Sequence, residues 1–100
     1  MLGYKVMRLE DGRAVSLADS QHGFEVRKGA TIQMPGVGVF LSTNRQFVVT
    51  HYTGLTDDQE VILTLEFDPK DILSGHLHDR ESVLTVSAAK IVDFEIVENE

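Results

Sequence analysis

Apolar and polar residues alternate through much of this chain with the two-residue period of half-buried strands. Residues 2–9 predict a first strand, with Tyr4, Val6 and Arg8 on one face and Lys5, Met7 and Leu9 on the other. Glu10-Asp11-Gly12-Arg13 predicts a tight turn, because Asp-Gly supplies residues tolerant of positive φ. A short strand over 14–17 and a polar loop over 18–23 follow. Residues 24–26 and 30–34 predict two short extended pieces around a turn at Lys28-Gly29, and Pro35-Gly36 breaks the chain again.

The pattern changes over residues 34–54. Residues 37–41 are apolar on both faces, as in a central strand. Ser42, Thr43 and Asn44 can each cap a helix by accepting orphan amide protons. Phe47, Val48, His51 and Tyr52 then fall at i, i+1, i+4 and i+5, one helical face, and Gly54 supplies a stop. Phe47-Val48-Val49-Thr50 is rich in β-branched residues, so propensity is weak and tertiary packing must hold this helix; a strand is the alternative.

The remainder returns to the strand period. Residues 55–60 predict a polar connector. Residues 61–67 alternate cleanly, with Val61, Leu63, Leu65 and Phe67 on one face and Ile62, Thr64 and Glu66 on the other. Asp68 to Leu73 predicts one helical turn, with Asp68 as cap and Pro69 at the first helical position. Residues 74–80 predict a polar loop and 82–87 a strand. A last strand over 91–97 is expected to bury Val92, Phe94 and Ile96. The sum is one α+β domain over residues 1–100, mostly β, with small twisted antiparallel or mixed sheets and one central helix packed on a sheet.

Composition narrows the function classes. The chain is 42% apolar and 25% charged, as in globular proteins, and no apolar run approaches the ~20 residues that span a bilayer. Absence of cysteine removes disulfides, thiolate nucleophiles and thiolate zinc sites, and fits a cytoplasmic setting. A net charge of −7 argues against a general nucleic-acid binder, which needs a basic face. The charge is uneven. Residues 1–50 carry six Lys/Arg against four acids, and residues 51–100 three against twelve, so the halves are +2 and −9. Solvated faces explain this simply; an acidic surface for a basic partner is the sharper reading.

Few local motifs carry chemistry. His76-Leu77-His78-Asp79 has a metal-like spacing, since histidines at i and i+2 of a strand share a face. A closed site needs further ligands that the sequence does not supply, so a solvated loop is the simpler reading. Ser42 lacks the nucleophile elbow of a hydrolase, and Gly36-Val37-Gly38 lacks the third glycine of a dinucleotide fingerprint.

Two family resemblances arise at this point. Tyr4-Lys5-Val6, Gly36-Val37-Gly38-Val39-Phe40-Leu41-Ser42-Thr43, Tyr52, the 61–67 strand and Glu81-Ser82-Val83-Leu84 resemble, in order and spacing, the ADP-ribosyltransferase fold. The resemblance implies NAD as cofactor, with Tyr4, Lys5, Ser42, Thr43 and Tyr52 around it and Glu81 as the catalytic acid. It implies that Tyr52 stacks on nicotinamide and that Glu81 stabilises the developing oxocarbenium ion. Lys5 stands where that family has histidine or arginine, which implies a degenerate member.

The second resemblance rests on Tyr4-Lys5-Val6-Met7-Arg8, the Gly-x-Phe-Leu-Ser segment, residues 61–71 with Phe67-Asp68-Pro69-Lys70-Asp71-Ile72, and Lys90 to Glu98. These are similar to the C-terminal domain of phage rIIB lysis-inhibition proteins, which implies a phage or prophage origin. The expected function is therefore an interaction domain that binds a host or phage protein through Asp57, Asp58, Glu60, Asp68 and Asp71, with a homodimer left open. The alternative is an active NAD-dependent ADP-ribosyltransferase.

Overall fold

β1 (Leu2–Glu10) is the strand on which the architecture is built. The structure, a computed structural model, describes residues 1–15, 23–33, 38–54, 59–75 and 83–97. After β1 come β2 (Arg13–Val15), β3 (Phe24–Glu25), β4 (Thr31–Gln33), β5 (Val39–Ser42) and helix α1 (Arg45–Tyr52). Then follow β6 (Glu60–Glu66), a 3-10 turn (Pro69–Asp71), β7 (Ile72–Gly75), β8 (Val83–Val86) and β9 (Ala88–Val97). Among the described residues the result is mostly β with one α-helix, as the pattern predicts. The strands form one nine-stranded sheet instead of several small ones, and every described pairing is antiparallel.

The order is β4-β9-β6-β1-β5-β8-β7, with β2 also on β1 and β3 on β2. The long central ladder is β1 with β6, from Leu2↔Glu66 to Arg8↔Glu60. The other edge of β1 is shared. β5 meets it at Tyr4↔Ser42, and β2 takes over from Arg8↔Val15 to Glu10↔Arg13. The β1–β2 hairpin turns through Asp11 at φ 53° and Gly12 at φ 79°, the two consecutive positive values that a type I′ turn demands.

One face of this sheet carries the main core. Met7, Ala14, Ile32, Val39, Leu41, Leu63, Leu65, Leu84, Val86 and Ile91 belong to one buried cluster. Ile32 on β4 and Val86 on β8 lie toward opposite ends of the strand order, so the sheet must curl for both to join one core. Gly3 permits part of this closure, because a Cβ there would lie 2.5 Å from Leu41 Cδ1. The opposite face of β1 and β6 is covered by the helix, where Val6, Val48 and Ile62 form a second buried cluster with Tyr4, Phe47, Val49 and Val97 against it. Double burial explains why Ile62, on the expected polar face of its strand, is only 5% exposed.

Four expectations are corrected. Ser74 and Gly75 lie in β7 rather than in a loop, because they pair with Thr85 and Leu84. Leu73 is likewise in β7, beyond the helical turn. In β9 a register shift opposite Thr64/Leu65 turns Ile91 onto the face of Phe94 and into the core, while Ile96, paired with Val61 near the end of the strand, is 53% exposed. Phe40, read as part of a doubly buried strand, is 54% exposed because the helix does not cover that part of β5.

Two glycines with positive φ provide an internal comparison. A Cβ at Gly75, φ 99°, would lie 2.3 Å from the Val83 carbonyl oxygen, whereas at Gly12 it would meet nothing within 4 Å. Gly12→Ala should cost about 1–2 kcal/mol of backbone strain alone, and Gly75→Ala clearly more, as measured by urea denaturation of both variants. Similar losses would show that the β7–β8 approach is looser than described.

Candidate functional site

Three of the candidate residues, Tyr4, Ser42 and Thr43, gather around the junction of β5 and α1. Ser42 ends β5 and is 2% exposed. Its Oγ accepts a hydrogen bond from the Asn44 backbone N–H at 3.0 Å. Asn44 is the N-cap; its Oδ1 accepts from the Phe47 N–H at 3.1 Å, and its carbonyl accepts from the Val48 N–H. The short polar run therefore works as a nested cap for a helix with weak intrinsic propensity. Thr43 lies between the two, half-buried.

Tyr4 sits directly across from Ser42 in the β1–β5 pairing and packs against the Val6–Val48–Ile62 cluster. The structure thus brings Tyr4, Ser42 and Thr43 together beside the start of the helix. Tyr52 stands apart from them. Tyr52 ends α1, seven residues beyond its first residue and thus ~10 Å along the axis. It is 38% exposed and makes an edge contact with Phe47, whose ring also lies 4.5 Å from that of His51. Of the expected one-sided helix face, Val48 is buried and Phe47 half-buried, while His51 and Tyr52 are exposed. Glu81 lies outside the described residues, as do His76 and His78 and the acidic residues Asp57 and Asp58.

Lys5 follows Tyr4 and so faces the opposite side of β1, toward the main core, as its cross-strand partner Leu63 does. Its Nζ donates to the Phe40 carbonyl at 3.0 Å, bridging β1 and β5 next to the point where they cease to pair. Desolvation by burial lowers its pKa from 10.5 to about 8.

Glu60 is a correction to the expected acidic surface. It lies in β6, not in a connector, and is fully buried. Its Oε1 accepts from the Gly54 N–H at 2.8 Å, tying the chain just past α1 to the start of β6, and Arg8 is its cross-strand neighbour. Burial behind the helix end removes it from any partner-facing surface. Asp68 is exposed and caps the 3-10 turn through Lys70 N–H, and Asp71 is half-buried. Sequence reading also missed Phe40 and Leu73, which are 54% and 61% exposed. Gly38 was the available signal: at φ 82°, a Cβ there would lie 2.6 Å from Thr85 Cγ2 and 3.1 Å from Leu73 Cδ1, so both side chains approach its bare backbone.

A shallow cavity of about 330 Å³ lies at the far end of β6, lined by Met1, Glu66, Phe67, Asp68 and Pro69, and includes none of the residues around Ser42. No helix among the described residues is long and apolar enough to cross a membrane. No family model, curated protein or solved structure matches the chain.

Two measurements check this site. Asn44→Ala should lower stability by about 1 kcal/mol in urea denaturation, and an unchanged midpoint would show that the cap is not needed. For Lys5, the folded chain holds fewer protons than the unfolded chain between pH 8 and 10.5, so its contribution to stability rises with pH across that window; below pH 8 both states are protonated and the burial penalty is fully present. Lys5→Met should therefore be more stable than the parent at neutral pH, with the gap closing toward pH 10.5. A gap independent of pH would refute the lowered pKa.

Proposed function

We propose that this chain is a small interaction domain, a degenerate ADP-ribosyltransferase-like domain of phage or prophage origin that binds and modulates a host or phage protein. The observation that carries the reading is the engagement of Ser42: its buried hydroxyl accepts the Asn44 N–H and serves the helix cap. Lys5 and Tyr52 support it, the first because it faces the other side of β1 and the second because it stands at the far end of the helix. Those three side chains belong to the fold before they belong to a nucleotide site. The phage origin and the transferase-like ancestry rest on the sequence resemblances alone.

The alternative, an active NAD-dependent ADP-ribosyltransferase, draws on one observation. Tyr4 and Ser42 face each other on the side of the sheet where the helix begins. Isothermal titration calorimetry with NAD and a labelled-NAD transfer assay on bacterial lysate separate the two. The interaction reading predicts no heat and no transfer, while wild-type protein on a column retains a discrete partner. Saturable heat together with transfer lost in Glu81→Gln would instead establish the enzyme.

A further inference from the structure

β7 ends the strand order, and no described strand pairs with its outer edge. Such an edge presents backbone N–H and C=O groups to any extended chain that can align with it. Beside it lies an apolar ridge. Leu73 and Phe40 are both more than half exposed, yet Thr85, to which Phe40 and Ser74 are paired from either side, is only 7% exposed. The bareness of Gly38 lets Leu73 lean across β8 toward β5, so the two large side chains flank one strip of sheet surface. Asp71 immediately precedes β7, Asp68 lies at the start of the 3-10 turn before it with Lys70 3.8 Å away, and the chain carries a net charge of −7.

We propose that the β7 edge and the Leu73–Phe40 ridge form a docking surface for an extended segment of another protein, one that alternates apolar with Lys or Arg residues and adds a strand to the sheet. This deepens the interaction reading and rests on it. The backbone of the segment pairs with β7, its apolar side chains cover Leu73 and Phe40, and its cations lie near Asp68 and Asp71. The charge selects a basic partner over a second copy, because two chains of net charge −7 repel.

The test uses a short fluorescein-labelled peptide alternating lysine and valine, its glutamate–valine counterpart, and the lysine–valine peptide N-methylated along one edge. Fluorescence anisotropy should show saturable binding of the first peptide only, and backbone amide shifts on binding should centre on Ile72–Gly75. Leu73→Glu and Phe40→Ser, both at exposed positions, should each weaken binding about tenfold or more, a difference of about 1.4 kcal/mol, with unchanged thermal melts. Equal binding of the N-methylated peptide, or shifts spread over acidic residues elsewhere, would reduce the interaction to general electrostatics and overturn the proposal. A dimer in sedimentation that Leu73→Glu dissociates would overturn it in favour of a second copy. If wild-type protein retains a lysate partner that Leu73→Glu also retains, this surface is wrong while the interaction reading stands; if wild-type retains none, the interaction reading itself fails.

Discussion

The constraint on which this structure depends is that β1 must be buried on both faces while serving three neighbours. Met7 faces a core closed by the curled sheet, and Val6 faces the helix. β6 covers one edge along its length, and β5 and β2 divide the other. A chain of 100 residues has little core to spare, so each element does its part only while β1 stays in register. A slip of one residue would turn Met7 toward the helix and Val6 toward the closed core, exchanging two surfaces of different shape. Gly3 shows how close the packing is, since the space a side chain would need there is occupied by Leu41.

The helix is held by contacts from outside itself. Its residues Phe47, Val48, Val49 and Thr50 have modest helical propensity, and eight residues are too few for an isolated helix. Asn44 and Ser42 secure its start, Glu60 holds the residue just past its end, and Val48 seats it on Val6 and Ile62. This dependence bears on function. One polar group assigned to a nucleotide site, the Ser42 hydroxyl, is also one that this marginal helix uses at its start. Phe40, on the same face of β5 as Ser42, and Leu73 on β7 lie where the helix does not reach and stay in contact with solvent.

The two edges of interest are managed differently. Lys5 bridges to a β5 carbonyl beside the point where β5 and β1 part, so an ammonium group serves where a ladder bond would otherwise run. Its desolvation cost is the consequence of setting that bridge among apolar neighbours. At the outer end of the sheet, β7 is short and irregular in register and follows directly on the 3-10 turn. Both features arise because a single curled sheet has places where neighbouring strands diverge.

Much of the fold was legible in the order of residues. The alternation in β1 and β6 gives their faces correctly, because side chains on a strand must alternate. Asp11-Gly12, Asn44, Gly54 and Asp68-Pro69 mark a turn, a cap, a stop and a 3-10 start, each through local backbone chemistry that needs no distant partner. Burial of individual residues was not legible where it depended on what lies opposite. Glu60 looked like a surface acid and is buried behind the end of the helix; Phe40 and Ile96 looked like core and are exposed. Ser42 was readable as a helix cap or as a ligand-binding hydroxyl, and the hydrogen bond to Asn44 favours the first. Local sequence thus determined which segments extend, turn or cap, through steric limits on φ and the period of side chains. Only the tertiary structure decided that the strands join one curled sheet, which of their faces the helix covers, and which apolar residues stay exposed, because these follow from long-range pairing that no short stretch of residues encodes.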